Sequence, residues 1–266
     1  LSLWDAAAGS AVFESGMSAI STVLLEFLKP GALLLYSAPV YGGTHHFIHH
    51  VLTKFGIDFL EFGVNETKQN IIDKIEASGK SKDLALIYIE TPANPTNDLF
   101  SILDMVCLGN EYSEKNKQKV YVAVDNTYLG PLWQKPLSLG ADIAVYSATK
   151  YLGGHSDILA GTISSSKILI DKILESSINY GGNLSEHTVW LLERSIKTLS
   201  LRVKAQNTNA LKIAEFLNGN ENIKSVYYPG LKSHPQHELA KKQMYGFGGM
   251  LSFLLKDENK SDAFTR

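Results

Sequence analysis

Short apolar runs alternate with amphipathic helical stretches along most of this chain, and that alternation decides its fold class. Ala32 to Tyr36, Ile57 to Phe62, Leu84 to Glu90, Lys119 to Val124 and Ile143 to Tyr146 read as strands. Met17 to Leu28, closed by Pro30-Gly31, reads as a helix, as do His45 to Lys54, Lys68 to Ala77 and Ile102 to Lys115. Strands separated by helices of about ten residues need crossover connections, which run neighbouring strands parallel. The pattern predicts an α/β protein built on a mainly parallel sheet.

The texture changes after Asn183. Glu186 to Leu217 favours helix with only soft interruptions, and Ile223 to Tyr228 and Gly249 to Leu255 read as two further strands. We expect a large domain over residues 1–190, then a linking helix and part of a smaller α+β domain over residues 191–266. The sequence opens at Leu1 rather than Met and closes at Thr265-Arg266, so it reads as incomplete at both ends. Charge argues against nucleic acid: 25 basic and 27 acidic side chains leave a formal net charge of −2, with no basic stripe to neutralise phosphates. Glu26, Lys29 and Glu90 interrupt the most apolar stretches, so no membrane span is expected. The single cysteine, Cys107, allows no intrachain disulfide and no Cys-rich zinc site. It reads as a core thiol in a cytoplasmic protein.

Four segments carry chemistry. In Val145-Tyr146-Ser147-Ala148-Thr149-Lys150 a lysine ends an apolar strand, where lost hydration would lower its pKa toward nucleophilic use. Ser147 and Thr149 offer hydroxyls to a phosphate beside it; the alternative is an ordinary loop lysine. Val124-Asp125-Asn126-Thr127 puts a carboxylate at the carboxyl end of a strand, the edge at which α/β sheets bind ligands. Asp125 suits a protonated ring nitrogen, and equally a helix cap. Ser15-Gly16-Met17 opens a helix whose free N–H groups make a phosphate site, although Ser15 fits a plain cap as well. Tyr41-Gly42-Gly43 sets an aromatic ring in a strand-to-helix loop, either lying on a planar cofactor or buried in a turn. An amine for a Schiff base and a carboxylate for a ring nitrogen are the two groups that pyridoxal phosphate needs.

Together with Thr91-Pro92-Ala93-Asn94-Pro95, Ile196-Lys197-Thr198-Leu199 and Gly248-Gly249-Met250, these segments resemble the Cys/Met-metabolism family of pyridoxal-phosphate enzymes. The resemblance implies the aspartate-aminotransferase-like fold (fold type I) and pyridoxal 5'-phosphate as cofactor. It implies that Lys150 holds the cofactor covalently and shuttles protons, that Asp125 pairs with the ring nitrogen, and that Tyr41 stacks on the ring and serves as an acid or base. Gly16, Met17, Ser147 and Thr149 would hold the phosphate, while Asn94 and Thr127 would neighbour the ring hydroxyl and the cofactor's base face. A homotetramer built from dimers with shared active sites is also implied. So are a Tyr-x-Arg segment and a substrate-binding arginine that would lie outside this sequence.

The expected activity is carbon–sulfur lysis of a small sulfur amino acid, methionine or cystathionine, by γ-elimination to a 2-oxo acid, ammonia and a thiol. Two alternatives stand: a γ-replacement transferase of the cystathionine γ-synthase or O-acylhomoserine sulfhydrylase type, and a non-catalytic subunit. Gly43 stands where many methionine γ-lyases carry cysteine, and it does not separate lyase from transferase. Two other patterns are set aside. Tyr146 and Lys150 spell the Tyr-x-x-x-Lys pair of short-chain dehydrogenases, yet no Gly-x-Gly-x-x-Gly turn accompanies them near the start. His45, His46, His49 and His50 make two i,i+4 pairs of a kind that binds zinc or nickel, but no carboxylate or thiolate lies beside them in the sequence. A partly exposed, pH-sensitive helix face is expected there, with no metal site. The long helix after Glu186, with Arg194 and Arg202, is expected to bridge the two domains through packing and ion pairs.

Overall fold

The computed structural model describes residues 1–256. Among them, seven strands form one sheet: β1 (Gly9–Phe13), β2 (Leu33–Ala38), β3 (Asp58–Gly63), β4 (Leu84–Glu90), β5 (Tyr121–Asp125), β6 (Ile143–Ser147) and β7 (Gly161–Ser165). Their spatial order is β1-β7-β6-β5-β4-β2-β3. Pairing is parallel between β2 and β3, β2 and β4, β4 and β5, and β5 and β6. Only β7 runs the other way, antiparallel to both β6 and β1. The mainly parallel sheet follows the sequence pattern. β1 and β7 do not: Gly-Ser-Ala-Val-Phe and Gly-Thr-Ile-Ser-Ser hold too little contiguous apolar surface to stand out, and pairing with neighbours makes them strands.

Helices α1 (Ser2–Asp5), α2 (Gly16–Phe27), α3 (Gly42–His50), α4 (Lys68–Ala77), α5 (Ile102–Asn116), α6 (Gly130–Trp133) and α7 (Lys167–Tyr180) precede, connect and follow the strands. Side-chain alternation along the strands feeds two cores. Leu34, Tyr36, Leu86 and Tyr88 face α2, α3 and α7, while Leu33, Leu35, Ile87 and Ile89 face α4 and α5. Because both faces are covered, β4 is buried along its whole length. Each Leu or Ile so enclosed contributes about 1.5–3 kcal/mol. Helix starts are set by side-chain caps: Ser15 on α2, Ser101 on α5, Ser166 on α7, and a reciprocal Thr67–Asn70 box on α4.

Several expectations shift. The helix expected over His45 to Lys54 begins at Gly42, ends at His50 and gives way to a 3-10 turn over Leu52–Phe55. Cys107 is exposed rather than core, because α5 buries Ile102, Met105, Val106, Leu108 and Tyr112 and turns Cys107 outward. The long helix after Asn183 is two helices, α8 (Glu186–Ile196) and α9 (Leu199–Asn218), broken at Lys197-Thr198. Arg202 spans that break. Its guanidinium donates to the carbonyls of Ser195 (2.9 Å) and Tyr151 (2.8 Å) and makes no ion pair among the described residues, unlike Arg194, which pairs with Asp157 at 3.5 Å.

Past α9, β8 (Ile223–Tyr227) and β9 (Ser252–Leu255) form a small antiparallel sheet, with α10 (His237–Gln243) between them. β9 starts later than the expected Gly249. Ala210 and Ala214 of α9 pack on this sheet through Val226 and Tyr228. Gln243 docks α10 against the start of α5 and the end of α6, donating to Gln134 Oε1 (3.0 Å) and accepting the Ile102 N–H (3.1 Å). Residues 257–266, included in the expected second domain, lie outside the described residues. No helix among the described residues is long and apolar enough to cross a membrane.

Candidate functional site

Every residue given a cofactor role from the sequence lines one cavity of about 270 Å³, at the carboxyl ends of β4, β5 and β6. One end of it is the start of α2. The Ser15 hydroxyl accepts the Ser18 N–H (3.0 Å) and the Ser15 carbonyl takes the Ala19 N–H (3.1 Å), so the N–H groups of Gly16 and Met17 are those left over at the helix end. Ser15 is thus the plain cap that the sequence allowed, and it lines the cavity as well. No side chain fits between α2 and β6: a Cβ on Gly16 would lie 2.8 Å from Ser147 Cβ. A Cβ on Gly161 would lie 2.1 Å from the Ser15 carbonyl oxygen, so β7 passes directly against the helix start. The Thr149 hydroxyl donates to the Ala160 carbonyl (3.2 Å) and accepts the Ala160 N–H (3.1 Å). That hydroxyl is engaged by Ala160, and the Ser15 and Ser147 hydroxyls and the two backbone N–H groups are further donors at this end.

At the other end stands Asp125, buried at the last position of β5. Its Oδ1 accepts both the N–H (3.0 Å) and the hydroxyl (2.6 Å) of Thr127, and its Oδ2 accepts the Tyr88 hydroxyl (3.1 Å). Thr127 Oγ1 also accepts the Ser147 N–H (2.8 Å), tying the ends of β5 and β6 together. Burial pushes the Asp125 carboxyl up from its usual range, against the pull of its Thr127 and Tyr88 hydrogen bonds.

Beside Asp125 lies Glu90, which the sequence showed only as a break in an apolar run. Its Oε2 accepts the Tyr41 N–H (2.6 Å) and its Oε1 the Asn94 N–H (3.3 Å), so one carboxyl fixes both loops that carry those residues. Burial, with Asp125 adding repulsion, pushes Glu90 up to about 8. The signal that pointed to Asp125, an acid ending an apolar strand, applies equally to Glu90. Tyr88, which donates to Asp125, and Tyr128, which lines the cavity, carry nothing in their local sequence that marks them.

Lys150 departs from expectation. It is exposed in the turn after β6 rather than buried at the strand end. It stands where the cavity meets a wider space of about 870 Å³ that reaches Thr188, Gln206 and Met250. Tyr146 points elsewhere: buried, it donates to Asp5 Oδ1 (2.5 Å) and accepts from Asn126 Nδ2 (3.2 Å), which ends the dehydrogenase reading.

A narrow cavity with leftover helix N–H groups at one end and a braced carboxylate at the other is shaped for a small aromatic phosphate. The approachable amine of Lys150 suits an aldehyde on that ring. Fold and site together define the chain as a fold type I pyridoxal-phosphate protein. It belongs to the Cys/Met metabolism PLP-dependent enzyme family, whose model matches residues 1–266. It is 44% identical over 250 residues to cystathionine beta-lyase of Lactococcus lactis subsp. cremoris strain MG1363, covering 93% of this chain and 62% of the relative. Against cystathionine gamma-lyase of Bacillus subtilis strain 168 it is 42% identical over 253 residues, covering 95% and 63%. The crystal structure of cystathionine gamma synthase from Xanthomonas oryzae pv. oryzae, in complex with aminoacrylate and cysteine, superposes with a TM-score of 0.90 at 33% identity. That match covers 99% of this chain and 66% of that one. The chain spans about three fifths of the length of the curated relatives it matches.

Proposed function

We propose that this chain forms the cofactor-binding part of a carbon–sulfur lyase that acts on methionine or cystathionine by γ-elimination. The observation that carries the reading is the continuity of the site. The α2 start, Asp125 and Lys150 share one cavity, and that cavity opens at Lys150 into a space wide enough for an amino-acid side chain. The relative named cystathionine gamma-lyase, at 42% identity, supports γ-elimination, and the one named cystathionine beta-lyase, at 44%, supports carbon–sulfur lysis.

When bound, pyridoxal phosphate supplies an electron sink for negative charge developing on the substrate's carbon chain. The Gly16 and Met17 N–H groups and the Ser147 hydroxyl would hold the phosphate. Asp125, braced by Thr127 and Tyr88, would keep a proton on the ring nitrogen, Asn94 would serve the ring hydroxyl, and Tyr41 would stack on the ring. Lys150 Nζ would anchor the cofactor and, once free, would move protons along the substrate, with the Tyr41 hydroxyl as the acid toward the departing sulfur. The proposal divides the chain into a cofactor domain over residues 1–190 and part of a second domain over 191–266. It sets the protein in the cytoplasm as a homotetramer with shared active sites.

The deciding experiment measures 2-oxobutanoate release from methionine and cystathionine, beside thioether formation from O-acylhomoserines. Release without replacement is expected; replacement without release overturns the lyase reading in favour of a γ-replacement transferase. A Lys150→Ala variant with an unchanged visible absorption spectrum would overturn the cofactor assignment itself.

A further inference from the structure

Helix α3 carries two histidine pairs, and their surroundings differ. His45 and His49 stack with ring centroids 4.0 Å apart, and β3 brings Glu61 against them. One ligand-capable atom from each of the three lies within 4.8 Å of the others. The carboxylate that the sequence around the histidines lacks is therefore supplied by the neighbouring strand. Tyr36 lies opposite Glu61 in the β2–β3 register. Its hydroxyl donates to Glu61 Oε2 at 2.7 Å and meets His49 Nε2 at 2.9 Å. A phenol has one proton, so His49 Nε2–H is the donor in the second contact and its Nδ1 keeps a lone pair. Phe59 packs on the His49 ring at 4.3 Å between centroids and restricts its orientation.

We infer that His45, His49 and Glu61 form a binding site for a divalent transition-metal ion of the zinc class, with Tyr36 holding His49 and Glu61 in place. Two imidazoles and one carboxylate are the donor set of open tetrahedral zinc sites, in which water takes the fourth position. Histidines at i and i+4 present both nitrogens on one helix face. Bonds of 2.0–2.1 Å in a tetrahedral ion set ligand atoms roughly 3.3 Å apart, so the three side chains close by about 1.5 Å at most. His45 is exposed and has room to rotate that far, while Glu61 is exposed but tethered by Tyr36. The Tyr36 bonds are the outer-shell contacts that orient ligands in such sites. None of the three lines the cofactor cavity, so the ion would fasten α3 to β3 without entering it.

The second pair supplies the control. His46 and His50 have ring centroids 4.6 Å apart, and among the described residues no third ligand joins them. The test is calorimetric titration of zinc chloride into tag-free, cofactor-loaded protein, with Cys107→Ser as background because that thiol is exposed. One ion per chain is expected. His45→Ala and Glu61→Gln should each weaken binding at least about tenfold, whereas His46→Ala should leave it unchanged. His45 is exposed and contributes only its ring stack, so its removal should spare the fold, and the melting temperature of the metal-free variant checks that. Absence of binding in the parent overturns the inference, as does equal loss in His46→Ala and His45→Ala, or a Glu61→Gln variant that binds like the parent.

Discussion

Replacing Glu90 with glutamine tests whether the carboxyl beside Asp125 is protonated in the folded protein. An ordinary glutamate near 4.5 ionises in the unfolded chain as pH rises, while the folded protein keeps its proton to about 8. Between those values the unfolded state binds fewer protons, so stability falls as pH rises and levels off above the folded value. At about 1.4 kcal/mol per pH unit the loss across that interval is on the order of 5 kcal/mol. Glutamine is neutral at every pH and close in shape to the protonated acid, so the variant lacks this slope. Asp125 repels the ionised Glu90 in the parent, so the comparison reads the titration of the carboxyl pair.

Urea unfolding of the cofactor-free proteins, followed by far-UV circular dichroism from about pH 5 to about pH 9, reads the difference directly. The stability of Glu90→Gln minus that of the parent should grow by about 1.4 kcal/mol per unit and flatten above about pH 8. A constant difference over the whole range would refute the reasoning. It would mean that the N–H groups of Tyr41 and Asn94 hold Glu90 ionised in spite of its burial and its neighbour.

Two further substitutions probe the ends of the cavity. Gly161→Ala drives a methyl into the Ser15 carbonyl oxygen, backbone against backbone, and should destabilise by about 3 kcal/mol while weakening pyridoxal-phosphate retention in equilibrium dialysis. Unchanged retention would detach the α2 start from the phosphate. Gly43→Ala sets a methyl 2.6 Å from the Tyr41 ring, which is half exposed and can swing aside. Unfolding stability should stay within about 0.5 kcal/mol while the elimination rate falls; an unchanged rate would remove Tyr41 from the reaction.

The parts of the site that the sequence exposed are those carried by local signals. Asp125 ends a β-branched run, Gly16 follows a capping serine, and Lys150 follows two hydroxyls, and each lines the cavity. What escaped depends on tertiary placement. Glu90 acquires its role only when Tyr41 and Asn94 arrive from separate loops. Lys150 is exposed because the chain turns at the end of β6, which strand patterning cannot show. Cys107 illustrates the limit of helical periodicity: one position of rotation separates it from the buried Val106 and Leu108. Glu61 reaches the histidines through the register of parallel strands, and no spacing rule along the chain encodes that.

The lone antiparallel strand has a consequence for how the protein is made. Among the named strands of the described residues, β1 pairs with β7 alone, through pairs such as Gly9 with Ser165 and Phe13 with Gly161. A ribosome adding about 5–20 residues per second leaves the first strand without its partner for roughly 8–30 s. Through that interval Val12 and Phe13 lack the strand they pair beside, whereas α2 already has β2 and β4 to pack on. In the finished sheet β7 lies between β1 and β6, and its Gly161 packs against the Ser15 carbonyl. The phosphate end is thus a seam between segments made far apart in time. Nascent chains halted before Gly161 should be recognised by chaperones and unable to retain the cofactor, however complete β2 to β6 already are.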